Sequence, residues 1–209
     1  MADRLLLIDS DMFILLAGAE MLDRTIELLG FHADQCRRFP ALESQLRRGK
    51  TFLEKYSQTI RGRALAACER IVALRERPED DDLLESLNIE GIETEGLMYA
   101  LLAEQPLSYL ASGDKRAMIA LATEPSLADV RKTVAGRVIC LETVVALLLD
   151  SEGIETVAQA FSPLRTANAT LRVVFSQAAA TPEAQCREYL KIYLRDLTKQ
   201  VGPGFLYAP

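Results

Sequence analysis

The stretch RLLLIDSDMF, residues 4–13, decides the fold. Four apolar residues at 5–8 stop abruptly at Asp9, Ser10 and Asp11, and the chain then turns apolar again. A short, unbroken apolar run that ends this way reads as a fully buried parallel strand. From residue 12 to 29 apolar side chains recur at helical spacing, and Gly30 is a natural stop. The same pattern returns twice: LSYLAS at 107–112 runs into GDKRAM, and GRVICLE at 136–142 runs into another helical segment. Strands alternating with helices predict an α/β fold, a helix-rich three-layer α/β/α sandwich with a mostly parallel central sheet. Ligands of such sheets bind beyond the carboxyl ends of the strands. Asp9, Asp11 and Asp114 therefore belong to one rim, and the first strand ends in acid because a site belongs there.

The remaining helices are expected at about 40–46, 51–74 with a break at Gly62, 83–87, 97–105, 115–122, 126–134 from a Ser126 cap, 143–150 and 182–200. Residues 170–176, TLRVVFS, fit strand by residue type and helix by their alanine-rich flanks, and 201–209 read as irregular. This places a core domain at 1–150, carrying a basic helical insert at about 36–78, and a mostly helical C-terminal extension at 151–209 packed on the same domain. The 209 residues, 49 % of them hydrophobic, suffice for a sizeable core. No apolar run approaches the roughly 20 residues that span a bilayer, and the N-terminus lacks a signal-peptide pattern. Cys36, Cys68, Cys140 and Cys186 are far apart with no CxxC spacing, as expected of buried reduced thiols in a cytoplasmic protein. His32 is the sole histidine, which excludes a histidine-rich zinc site and a histidine-centred triad.

Without histidine or a cysteine cluster, the chemistry falls to carboxylates. Strand one delivers Asp9 and Asp11, the segment ETEG opens a helix with Glu93 and Glu95, and the second strand delivers Asp114. Two carboxylates about 5 Å apart at an effective dielectric near 20 repel by about 3 kcal/mol. Oxygen ligands alone point to Mg²⁺ or Mn²⁺ as the counter-ion. Each acid also has a plain structural use, as a helix cap or as a favourable charge at a helix N-terminus. Charge is unevenly spread: residues 36–78 hold eleven Lys/Arg against four Asp/Glu, so the rest of an overall −6 chain carries −13. Such a basic segment is either a phosphate-binding face or a set of helices with solvated arginines.

The motifs LLLIDSDMFILLAGA (5–19) and GIETEGLMYALLAEQPLSYLASGDKRAM (91–118) resemble the PIN-like domain family of metal-dependent nucleases. That family has a first strand ending in Asp, a mid-chain acid opening a helix, and a later strand ending in T/S-x-D-K. The resemblance implies Mg²⁺- or Mn²⁺-dependent cleavage of RNA or structured nucleic acid, leaving a 3′-hydroxyl. It implies Asp9, Glu95 and Asp114 as catalytic residues and Asp9, Asp11, Glu95 and Asp114 as the metal ligands, Glu93 competing for the place of Glu95. Ser10, Ser112 and Lys115 take supporting places. Arg37, Arg38, Arg47, Arg48, Lys50, Arg61 and Arg63 would hold the nucleic-acid backbone. The sequence departs from the family at Arg116 and Ala117, where many members carry a further acid or Asn. Glu43 and Glu54 are counterparts for an early-helix Glu. The implied partners are RNA or another nucleic acid, with a homodimer and an antitoxin-like protein left open, and no membrane. Two alternatives stand beside this: a non-catalytic PIN-like nucleic-acid or protein binding domain, and a haloacid-dehalogenase-like phosphatase with Asp9 as nucleophile and Asp11 as acid/base. The second lacks an acid at Met118, where its later pair should be.

Overall fold

The structure, a computed structural model, describes residues 4–92 and 95–209, so Glu93 lies outside the described residues. Its centre is a four-stranded, all-parallel sheet in the order β2-β1-β3-β4, formed by β1 (Leu6–Ile8), β2 (Cys36–Arg38), β3 (Tyr109–Ser112) and β4 (Val138–Cys140). Leu7 lies opposite Arg37 on one side and Leu110 on the other, and Ala111 faces Ile139. Strand side chains alternate between faces. Leu6, Ile8, Ala111 and Ile139 enter one core layer, against α1 (Ser10–Gly18), α2 (Leu22–Leu28), α5 (Gln58–Arg70) and α10 (Leu141–Phe161). Leu5, Leu7, Leu110, Val138 and Cys140 enter the other, against α7 (Gly96–Glu104), α8 (Lys115–Thr123) and α9 (Ala128–Val134). The result is a three-layer α/β/α sandwich.

β2 was not expected, because its three residues, Cys-Arg-Arg, carry no apolar run. Arg38 is nonetheless only 6 % exposed, its guanidinium donating to the carbonyls of Ile71 and Cys68. The expected 12–29 helix is two helices, separated by a turn in which Glu20 has a positive φ of 59°. The helix expected across 51–74 breaks at Tyr56 and Ser57 between α4 (Lys50–Lys55) and α5, with Ser57 capping α5 and Gly62 inside it. α9 follows a 3₁₀ turn capped by Glu124 rather than a Ser126 cap. Residues 169–174 are helical, α11 (Ala169–Val174), with Asn168 as cap. α10 starts at Leu141 and continues past Gly153, whose φ of 78° interrupts it. The chain also forms α3 (Leu42–Arg48), α6 (Asp81–Ser86) and α12 (Glu183–Val201).

α12 contributes Cys186 and Leu190 to the first core layer and Leu197 and Val201 to the second. The C-terminal segment thus wraps the β4 edge and contacts both layers. The tail completes that edge: Leu206 bridges Val138 in parallel register, and Tyr207 N donates to the Val138 carbonyl (2.8 Å). All four cysteines are buried and free, and among the described residues no helix is long and apolar enough to cross a membrane.

α1 packs most extensively on α5. The approach is close at Gly18, where an added Cβ would stand 2.9 Å from Cγ2 of Ile60. Ile60 is buried and β-branched, so it cannot swing aside. Gly18→Ala should therefore lose about 1–3 kcal/mol to overpacking, despite gaining up to about 1 kcal/mol in helix propensity. Urea unfolding should show the midpoint falling; a rise would mean that the two helices are not in contact there.

Candidate active site

The connection from β1 to β2 runs through α1 and α2 on one face of the sheet, and the connection from β3 to β4 runs through α8 and α9 on the other. β1 and β3 are neighbours. The chain therefore leaves their carboxyl ends in opposite directions, and the crevice between them is the topological switch point where open parallel sheets bind ligands. Asp9 follows β1 directly and Asp114 stands two residues beyond β3, so both acids meet at this crevice.

Asp9 is 3 % exposed. Its Oδ1 accepts from Met12 N (2.5 Å), capping α1, and its Oδ2 accepts from the Ser112 hydroxyl and from Gly113 N (2.6 Å). Asp9 N itself donates to the Ala111 carbonyl (3.0 Å). Burial pushes its pKa up to about 6 against the opposing effect of these three donors, with a small addition from the charge of Asp11. Ser112 also accepts from Asp114 N (3.1 Å), so one hydroxyl links the two acidic positions. Asp114 caps α8 through Oδ1, which accepts from Arg116 N (2.8 Å) and Ala117 N (3.2 Å); its Oδ2 lies 3.6 Å from the guanidinium of the exposed Arg116.

Glu95 immediately precedes α7 and is half-buried at the same crevice. Burial first, and then the charges of Asp114 and Asp9, push its pKa up to about 7, against a backbone hydrogen bond and the charge of Arg116. Glu95 thus lies within electrostatic reach of Asp114 and Asp9. Asp11 points away toward α4, where Lys55 Nζ (2.9 Å) and the Tyr56 hydroxyl (2.9 Å) hold its carboxylate. Ser10 begins α1 with its side chain half-buried.

Glu142, absent from the acids read in the sequence, is 1 % exposed just past the carboxyl end of β4. Its Oε1 meets Lys115 Nζ (2.5 Å) and the Thr170 hydroxyl (3.2 Å), and the ammonium also lies 4.6 Å from the ring centre of Tyr193. Lys115 is thereby drawn away from the acids of the crevice and ties α8 to α10, α11 and α12. The signal was available: an acid directly after a buried apolar run is what marks Asp9. A second residue without a sequence signal of its own is Tyr99, one helical turn beyond Glu95.

The basic segment is largely turned to internal use. Arg37 pairs with Glu76 (2.8 Å) and donates to the carbonyls of Asp34 and Cys36. Arg61 donates to the carbonyls of Tyr56 and Leu46, and Arg63 to that of Gly18 while pairing with Glu20 (2.6 Å). Arg38 is buried as described, and Arg47 pairs with Glu43 (3.1 Å). Glu43 is thus committed to Arg38 and Arg47, and Glu54 lies 4.0 Å from Lys50. Arg48 and Lys50 project into solvent on α3 and α4.

The chain matches no protein-family model, no curated protein and no solved structure. The fit of a divalent ion rests on the donors themselves. Among the described residues no three of His, Cys, Asp and Glu are grouped so that they could hold a metal ion. Mg²⁺ commonly needs only one or two carboxylates, with water completing its shell. Glu95 and the outer oxygen of Asp114 offer hard donors of that kind, and their neighbourhood carries uncompensated carboxyl repulsion. Asp9 joins only through water or by releasing one of its donors.

Two outcomes follow from these contacts. Asp9 and Glu95 hold their protons more tightly folded, near 6 and 7, than at their ordinary values of 3.8 and 4.5. The stability they lend is complete below pH about 4 and is lost as the pH rises toward 7. Calorimetry in EDTA should show Tm rising as the pH is lowered from 7.5 to about 5. Glu95→Gln should be more stable than wild type at pH 7.5 and show a shallower pH slope than wild type between pH 6 and 7, where only Asp9 still titrates; a wild-type Tm that falls on acidification through that window contradicts the assignment. Lys115→Met should cost on the order of 3 kcal/mol by leaving Glu142 buried without its cation, and Lys115→Met/Glu142→Gln should recover most of it. Additive losses in this cycle would mean that the two side chains do not interact.

Proposed function

We propose that this chain is a divalent-metal-dependent nuclease of PIN-like design that cleaves phosphodiester bonds, with RNA as the leading substrate. The observation that carries this reading is that Asp9 and Asp114 stand just beyond the carboxyl ends of the neighbouring strands β1 and β3, with Glu95 within electrostatic reach of both and its pKa raised by burial and then by their charges. Perturbed carboxyls in a crevice at the carboxyl edge of a sheet are what a metal-assisted hydrolase requires. Glu95 and Asp114 would hold the ion, Mg²⁺ or Mn²⁺. When bound, it supplies charge stabilisation for the phosphate and an acidified water.

The chain's own residues have distinct tasks. Asp9 fixes the spacing of the β1 and β3 ends through Met12, Ser112 and Gly113. Asp114 is held in one orientation by the α8 amides it caps, which leaves its second oxygen facing outward. Glu95, whose proton is held near neutrality in the free protein, would be ionised when it holds a cation. Arg116, 87 % exposed beside Asp114, is the cation best placed to meet a phosphate at the crevice, and Arg48 and Lys50 are free to track the backbone.

A second reading, a PIN-like domain kept for binding, is favoured by one observation: both oxygens of Asp9 are spent on internal donors. The phosphatase reading gains nothing from the geometry, since a nucleophilic Asp9 needs a free oxygen and Asp11 is held by Lys55 and Tyr56.

The test is cleavage of a mixed-sequence labelled RNA with Mn²⁺, Mg²⁺ or EDTA, wild type beside Glu95→Gln and Asp114→Asn. Asn retains capping ability at position 114, so both variants should fold. Metal-dependent cleavage reduced at least 100-fold in both supports the nuclease. RNA retained on the protein without cleavage under any metal moves the assignment to the binding domain.

A further inference from the structure

Tyr99 lies four residues along α7 from Glu95, so the two side chains share one face of the helix. The residue is 0 % exposed, and its hydroxyl has no hydrogen-bond partner among the described residues. A buried phenol in a well-formed core nearly always finds one. The hydroxyl lies within electrostatic reach of Asp9, Glu95 and Asp114, yet it donates to none of them. Asp9 is occupied by its three donors and Asp114 by the α8 amides and Arg116. The described residues supply no acceptor for this hydroxyl.

We infer that Tyr99 is a binding residue of the crevice, its hydroxyl donating a hydrogen bond to a water of the hydrated divalent ion held by Glu95 and Asp114. The inference rests on the metal reading above and adds to it a donor from the core side of the site. Burial and the three neighbouring acids push proton release from this phenol well above its ordinary range, so it acts as a donor and never as a base. Its place one turn behind Glu95 makes it a support that orients the ion's shell from within, while substrate approaches from the solvent side.

The experiment compares wild type, Tyr99→Phe and Glu95→Gln by Mn²⁺ titration, reading free Mn²⁺ by electron paramagnetic resonance and Tm in EDTA. Phe fills the same space and removes only the unpartnered hydroxyl. Tyr99→Phe should melt in EDTA at or above the wild-type temperature while binding Mn²⁺ about tenfold more weakly, the scale typical of an outer-shell donor. Glu95→Gln should lose Mn²⁺ uptake. Wild-type Mn²⁺ affinity in Tyr99→Phe overturns the inference and leaves the metal reading standing. A lower EDTA melting temperature for Tyr99→Phe also overturns it, since the hydroxyl would then have an internal partner. No Mn²⁺ uptake by wild type overturns the metal reading and this inference together.

Discussion

One carboxylate holds the centre of this molecule. Asp9 accepts from the first turn of α1, from the Ser112 side chain and from the Gly113 backbone, and so joins the end of β1 to the end of β3. These two strands flank the point where the connections diverge to opposite faces, where no helix crosses from one end to the other. Three donors would ordinarily hold a carboxylate's pKa low. Here dehydration outweighs them, and a rise from 3.8 to about 6 corresponds to about 3 kcal/mol against the charged form. The clasp is geometrically firm and electrostatically uneasy at neutral pH. Glu95 beside it is raised in the same direction, first by its own burial and then by the charges of Asp114 and Asp9.

Much of this was legible in the sequence. The apolar run at 5–8 ending in Asp9, the run ending before Asp114, and the one at 136–142 all became parallel strands, because a strand covered on both faces must be apolar throughout and must stop where its backbone meets solvent. The helix opened by Glu95 followed from the same logic. What failed to show was whatever depended on tertiary partners. β2 has no apolar signature, since Arg38 is buried by virtue of carbonyls supplied from residues 68 and 71. Asp11 carries the same residue type as Asp9 two positions away, and only the arrival of Lys55 and Tyr56 from α4 separates their fates. Glu142 obeyed the rule used for Asp9 and was passed over because nothing in its neighbourhood spoke of a motif.

The basic segment shows how a charge count misleads. Its surplus of positive residues suggests a phosphate-binding face, yet Arg37, Arg38, Arg61 and Arg63 spend their guanidinium donors on backbone carbonyls of turns and helix ends. Arginine suits that task, because its planar fork satisfies several acceptors with little loss of side-chain freedom. The excess charge is partly a consequence of stitching short helices α3, α4 and α5 together. What remains exposed to a polyanion is a smaller set, Arg48, Lys50, Arg75 and Arg77 on the insert and Arg116 at the crevice.

Lys115 and Glu142 complete the electrostatic logic. The residue after Asp114 is a lysine, which could have neutralised the acids beside it. Instead its ammonium lies against the buried carboxylate of Glu142, with Thr170 and the ring of Tyr193 around it. A lysine so engaged anchors the C-terminal helices to the rim and at the same time withholds its charge from Asp9, Glu95 and Asp114. Of the cations on α8, the exposed Arg116 is the one left beside Asp114. The Lys115–Glu142 pair, with Thr170 and Tyr193 packed on it, thus links α8 and α10 to the C-terminal helices.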